Sequence, residues 1–317
     1  LTMSARYVTN RLFCAVESEK AGDSLAGSGA HAQENLLISW PSRKWMRSLR
    51  RATDMSESVV NGIEAIVDSG RRVNLIHREQ QPAEQHRVYL MPENVQIDLM
   101  RDQLPDFLDA LNCGASLEAW FPTPNPSPLV LCCTHGKKDK CCAKFGHATF
   151  KSLVQAEGEA NHNFDVWQSS HLGGCRFAAS VMVFPANRKY GRIAPDEVMP
   201  FLEAESENRV YLPCYRGNPM LEPAGQCAEI AALQWLSGQE LMARVRVGPA
   251  LPDASGKTVV ADVQWEAGTS AGLLRVQCEA TAVLRYDTCA DITPDGPTES
   301  TVWIAKGIVQ VNGLPAC

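Results

Sequence analysis

The stretch "LVLCCTHGKKDKCC", residues 129–142, constrains this chain more than any other. An apolar run that reads as a buried strand feeds directly into a lysine-rich loop bracketed by two pairs of adjacent cysteines. Adjacent side chains on a strand point in opposite directions, so only one cysteine of each pair can face a common point. Cys132 or Cys133 at one end and Cys141 or Cys142 at the other are the alternatives. Further along, "SSHLGGCRFA", residues 169–178, offers His171 and Cys175. A redox-active metal cluster needs soft thiolates or imidazoles from two converging loops. Gly173 and Gly174 between them permit a tight turn and let backbone amides approach without a side chain in the way.

At 317 residues, 45% hydrophobic and 21% charged, the chain is globular and long enough for two or three units. No apolar run approaches the ~18 residues of a membrane span. The opening "LTMSARYVTN" shows no apolar core followed by a small-residue cleavage site, so a cytoplasmic protein is expected. With 30 basic and 36 acidic side chains the net charge is −6, which argues against a general nucleic-acid binder, since such proteins must neutralise phosphates. Twelve cysteines in a chain of this size point to thiols, metal ligation or redox chemistry rather than a disulfide framework. Cys14, Cys113, Cys214, Cys227, Cys278, Cys289 and Cys317 stand singly and are expected to be small apolar fillers.

Three segments are expected. In residues 1–120, "SESVVNGIEAIVDSG" puts Val59, Ile63, Ile66 and Val67 on one helical face with Gly70 as a stop, and "NLLISW", "RRVNLIH" and "HRVYLMP" are strand-like, giving an N-terminal α/β domain. The proline-rich "FPTPNPSP" marks a boundary near residue 120. In residues 121–245 the order is strand, helix ("AKFGHATFKSLVQAE"), strand ("FDVWQSSH"), strand hairpin ("RFAASVMVFPANRKYGRI") and helices ("APDEVMPFLEAE", "PAGQCAEIAALQWL"), compatible with a thioredoxin-like sandwich. Residues 246–317 alternate with period two, Leu274, Val276, Cys278 and Ala280 on one face, and form a small β appendage.

The motifs "CTHGKKDKCCAKFG", "VWQSSHLGGCRFAAS", "YGRI" and "LPCYRGNPMLEPAGQCAE" resemble the sucrase/ferredoxin-like family over roughly residues 128–235, with weaker similarity at "CAVESEKAGDSLAGSG". The resemblance implies an α/β fold with a thioredoxin-like ferredoxin core and a [2Fe-2S] cluster that transfers one electron. It also implies ligands from a Cys-x8-Cys loop, here Cys133 and Cys142, and from a His-x3-His loop, here His171 and Cys175. The cysteine at 175 departs from the family pattern and makes the set three cysteines and one histidine. Histidine ligation raises iron–sulfur potentials and thiolate ligation lowers them, so a potential below that of a bis-histidine relative is expected.

Zinc is the chemical rival, because Cys3His is also a zinc set, although its usual short CxxC knuckles differ from a Cys-x8-Cys loop. A thiol–disulfide enzyme on a thioredoxin-like fold is the enzymatic alternative, but no CxxC is present. A cluster-delivery module is the third. Sugar hydrolysis would need two carboxylates across a glycosidic bond, and no such pair is recognisable. His135 is read as structuring the loop, and His147 and His162 as surface histidines. Lys137, Lys138, Lys140 and Lys144 with Arg176 form either a positive rim that steers an acidic redox partner or a solvated loop compensated by Asp139. "NRKYGR" would extend such a rim. The expected role is electron carrier rather than catalyst.

Overall fold

The structure is a computed structural model and describes residues 12–82, 84–159 and 163–311. Along the chain the helices are α1 (Cys14–Lys20), α2 (Glu57–Asp68), α3 (Leu104–Asn112), α4 (His147–Glu159), α5 (Val198–Ser206) and α6 (Pro223–Ser237). The strands are β1 (Asn35–Ser39), β2 (Arg72–His77), β3 (Gln85–Met91), β4 (Val95–Met100), β5 (Thr123–Pro124), β6 (Leu129–Cys133), β7 (Asp165–Ser169), β8 (Val181–Phe184), β9 (Arg188–Tyr190), β10 (Arg244–Val247), β11 (Leu251–Pro252), β12 (Thr258–Ala267), β13 (Ser270–Arg285) and β14 (Thr298–Val311). Two compact units result. The cysteine-loop unit is Ala32–Asn187 with Arg192–Glu207, and the tail unit holds the chain up to His31, Arg188–Gly191 and everything from Asn208.

The cysteine-loop unit is built on a sheet in the order β5-β4-β3-β1-β2-β7-β6-β8, whose two halves repeat one topology. In the first, β1 runs parallel to β2 with α2 as the crossover, and β3 returns antiparallel on the far side of β1. In the second, β6 runs parallel to β7 with α4 as the crossover, and β8 returns antiparallel on the far side of β6. A helix follows in each half, α3 and α5. The halves join where β2 meets β7 antiparallel, Ile76 opposite Ser169 and His77 opposite Gln168. The thioredoxin-like order expected after residue 120 is therefore present, and a related arrangement precedes it.

Local chemistry explains these elements. The Ser56 hydroxyl accepts the Val59 N–H at 3.4 Å and caps α2. Val59, Ile63 and Ile66 of α2 are buried with Leu36, Ile38, Val73 and Leu75 of the strands and with Phe107 and Leu108 of α3. Gly70, at φ 101°, takes the left-handed conformation that ends the turn. β1 and β6 are buried at every position, as interior strands covered on both faces must be.

In the tail unit a five-stranded sheet, β10-β12-β13-β14 with β11 on β12, is covered by α6. Cys227, Ala228, Ala232 and Leu236 of the helix share a core with Val263, Trp265, Leu274, Val276 and Cys278. The alternation expected of β13 holds through Cys278, but Ala280 is only half-buried and the next buried position is Val283. The change of phase follows a register shift between Gln277 and Cys278 in the pairing with β14.

These units differ from the segments 1–120, 121–245 and 246–317 read in the sequence. The first sheet runs through residue 120 without a break, and α6 belongs with the strands that follow it. Among the described residues no helix is long and apolar enough to cross a membrane.

Candidate metal centre

β6 delivers two adjacent cysteines to different surroundings. Cys132 turns into the core, where its thiol donates to the Gly146 carbonyl at 3.4 Å, and burial pushes its pKa up. Cys133 turns the other way, its Sγ 3.5 Å from that of Cys142. The hydrogen bond shared with Cys142 pulls the Cys133 thiol down to about 7, aided by the backbone N–H groups of His135 and Leu172, which outweigh burial. Cys142 is driven well up by its bonds to Cys133 and to Cys175 and by burial. The two ends of the loop thus meet through Cys133 and Cys142, the pair the family pattern names.

After the loop, Cys142–Gly146 forms one widened helical turn before α4 begins. Glycine is required at 146: a Cβ there would lie 2.0 Å from the Cys133 carbonyl oxygen. His135 structures the loop, as expected, with its Nε2 2.9 Å from the Met46 carbonyl and its ring edge-on to Trp45. Lys137 donates to the carbonyls of Arg43 and Trp45 at 3.1 and 2.6 Å. Buried Asp139 accepts the Cys141 N–H at 2.8 Å.

The second loop leaves β7 at Ser169. Gly173 and Gly174 adopt φ of 89° and 77°, conformations that favour glycine, and turn the chain into Cys175–Phe177. That turn brings the Cys175 Sγ to 3.6 Å from His171 Nδ1, while Cys175 also bonds Cys142. Three thiols, each 2% exposed, and one imidazole therefore converge from two loops. All four predicted residues, Cys133, Cys142, His171 and Cys175, lie together.

Two residues of this site escaped sequence reading. Arg72, at the start of β2, donates to the His171 carbonyl at 2.8 Å and to Asn74 Oδ1 at 2.9 Å, and Asn74 in turn donates to the His171 carbonyl at 3.1 Å. Burial pushes the guanidinium pKa down, opposed by the attraction of Cys133. A cation and an amide thus fix the histidine loop from the other half of the sheet. Their only signal was a charged and an amide residue within the otherwise apolar run "RVNLI".

The other expectations divide. His147 is exposed at the start of α4, whereas His162 and Cys317 lie outside the described residues. Arg176 stacks on Phe177 at 4.2 Å, and Lys144 is exposed. In "NRKYGR", Lys189 is buried and donates to the Ala30 carbonyl at 2.9 Å, and Arg188 bonds Asn208, so both are committed within the tail unit. Cys227 and Cys278 fill the apolar core of the tail unit, as expected, and also bond one another, whereas buried Cys14 lies 3.5 Å from half-exposed Cys289, Sγ to Sγ, and Cys113 is exposed. Each pair joins segments too distant in sequence to be linked by spacing.

The donor set suits a thiophilic metal group. Two thiolates sharing one tetrahedral ion at ~2.3 Å each lie ~3.8 Å apart, close to the Cys133–Cys142 separation. The backbone N–H groups aimed at Cys133 supply the hydrogen bonds to sulfur that anionic iron–sulfur sites use.

Comparison with known proteins adds the following. A family model described as sucrase/ferredoxin-like matches residues 25–217. Altered inheritance of mitochondria protein 32 of Clavispora lusitaniae is 24% identical over 204 residues, covering 56% of this chain and 68% of that protein. Its counterpart in Debaryomyces hansenii is 26% identical over 200 residues, covering 53% and 70%. The wild-type thioredoxin-like [2Fe-2S] ferredoxin of Aquifex aeolicus aligns with 13% identity and a TM-score of 0.27, covering 29% of this chain and 98% of that one. With its cysteine and histidine loops inside a family match that spans most of its length, this chain belongs to the sucrase/ferredoxin-like family.

Proposed function

We propose that this protein is a one-electron carrier in which Cys133, Cys142, His171 and Cys175 hold a [2Fe-2S] cluster. The observation that carries the reading is the meeting of three buried thiols and one imidazole from two loops, with the Cys133 thiol already drawn toward its anionic form. Such a cluster supplies reversible single-electron exchange. The chain does the rest. Cys133 and Cys142 are fixed by the rigid end of β6 and the turn ahead of α4, while Arg72 and Asn74 hold the histidine loop by its carbonyl. The half-buried Arg72 guanidinium beside Cys133 offsets negative charge gathered on the thiolates.

The partner this reading requires is an acidic redox protein, met by the exposed Lys144 and half-exposed Lys138 and Lys140. Stopped-flow oxidation by acidic and basic small redox proteins tests that choice: the acidic one should react faster, with an advantage that shrinks as salt rises. A single tetrahedral zinc ion is the second reading, favoured by the contacts of Cys142 with Cys133 and with Cys175. Anaerobic reductive titration separates the two. A carrier takes up one electron per chain, develops a paramagnetic reduced state and returns unchanged on reoxidation; a protein with no reducible state is not a carrier.

A further inference from the structure

The tail unit holds a second sulfur pair that the cluster reading leaves unused. Cys14 opens α1, and Cys289 opens a short turn, Cys289–Asp291, in the connection between β13 and β14. They are 275 residues apart in sequence, yet their Sγ atoms are 3.5 Å apart and the Cys14 N–H points at the Cys289 sulfur at 3.4 Å. The two differ in access: Cys14 is buried and Cys289 is half-exposed.

The surroundings hold this approach in place. Arg285, at the end of β13, pairs with Asp23, just beyond α1, at 3.3 Å. Asp23 is itself buried and accepts the Ser18 hydroxyl of α1 at 3.1 Å. On the other side, Asp291 accepts both the N–H and the hydroxyl of Thr288, at 2.8 and 2.9 Å, which fixes the turn carrying Cys289. The thiols are thus positioned by an ion pair and a capped turn rather than by chance contact of mobile side chains.

We propose that Cys14 and Cys289 form a second redox site, a dithiol that a low-molecular-weight disulfide such as glutathione disulfide converts to an intramolecular disulfide. In the first step the Cys289 thiolate attacks one sulfur of the small disulfide, the external S–S bond breaks, and one small thiolate leaves. In the second the Cys14 thiolate attacks the Cys289 sulfur of the mixed disulfide and expels the other small thiolate. In sum two protein thiols lose two electrons and two protons, and one small disulfide becomes two thiols. Closing the bond needs the sulfurs to draw in from 3.5 Å to ~2.05 Å. The half-exposed thiol is the one attacked from solution and the buried one resolves it, so the mixed disulfide should be short-lived. The exchange is a two-electron step.

The test is peptide mapping of the full chain, equilibrated in redox buffers of graded glutathione disulfide content and then alkylated. The expected result is a peptide pair joining Cys14 to Cys289, lighter by two hydrogens than the dithiol and growing with disulfide content. Cys14→Ser should instead trap Cys289 as its glutathione adduct, and Cys289→Ser should leave Cys14 unmodified. The wild-type map decides the matter even if a variant fails to fold. Full alkylation of both cysteines at every redox poise would overturn the proposal, as would linkage of either to another cysteine. Oxidation confined to Cys227 and Cys278, or retention of zinc by Cys14 and Cys289 under reducing conditions, would also overturn it.

Discussion

In the proposed ligand set the side chain at position 175 would set the charge, since a thiolate ligand brings one negative charge where an imidazole brings none; buried Cys175 sits against His171 and Cys142. Cys175→His should raise the reduction potential by ~100 mV or more, in the direction that histidine ligation moves iron–sulfur centres; a redox titration with no rise would show that Cys175 is not at the metal. Acid should act through His171, because a ligating nitrogen must be unprotonated. The visible absorbance of the loaded protein should therefore bleach faster as pH falls, and His171→Cys should remove the acceleration. Arg72 acts on the same loop from outside the ligand set. Arg72→Leu should lower the potential by withdrawing a cation from beside Cys133, and cost about 1.5–3 kcal/mol in urea unfolding by leaving the His171 carbonyl with fewer donors. Arg72→Lys should retain most of the potential but not the stability, since a lysine lacks the planar fork by which separate arginine nitrogens meet Asn74 and His171. The two loops were legible in sequence from their cysteines, histidine and glycines, whereas the choice of Cys133, Cys142, His171 and Cys175 within them was implied by the family resemblance. Arg72 and Asn74 were not legible, because their partner carbonyl is on a loop 97 or more residues away.

Among the elements, periodic ones were legible and their partners were not. α2 was readable from its apolar face and its stop at Gly70, and β12 and β13 from alternation, because local sterics and burial dictate both patterns. What alternation could not reveal was that α6 covers those strands, a long-range choice made by the packing of Cys227, Ala228 and Leu236. That helix carries a pH-dependent load. Glu229 is buried, and burial raises its carboxyl to about 7 although it accepts the Asn218 N–H at 2.8 Å. A folded pKa above the unfolded 4.5 means that the folded form holds the proton more tightly. The associated stability is complete below pH 4.5 and is lost as pH rises to about 7, on the order of 3 kcal/mol in all. Glu229→Gln should flatten the urea stability profile between those limits. At the turn before α4, Gly146→Ala should cost about 1–3 kcal/mol and loosen the cysteine loop, because the new Cβ meets the Cys133 carbonyl. A variant as stable as the parent would mean that β6 and this turn are less closely seated.

For the molecule as a whole, the repeated topology of the first sheet gives the site its setting. The half containing β6, α4, β7 and β8 carries the thiols, and the half containing β1, α2, β2 and β3 lends Arg72 and Asn74 across the β2–β7 seam. The sequence reading treated these halves as separate domains because "FPTPNPSP" looks like a linker; strand pairing at long range, invisible to local pattern, makes them one sheet. The family match, residues 25–217, spans both halves. The claim most exposed to test is that this sheet presents an iron–sulfur site. Iron, zinc and acid-labile sulfide should be measured on protein purified without oxygen, with Cys175→Ala alongside. The expected result is about two irons and about two sulfides per chain, with the metal content or spectrum altered in the variant. One zinc with no sulfide would contradict the account and leave the cysteine loop as a structural metal site.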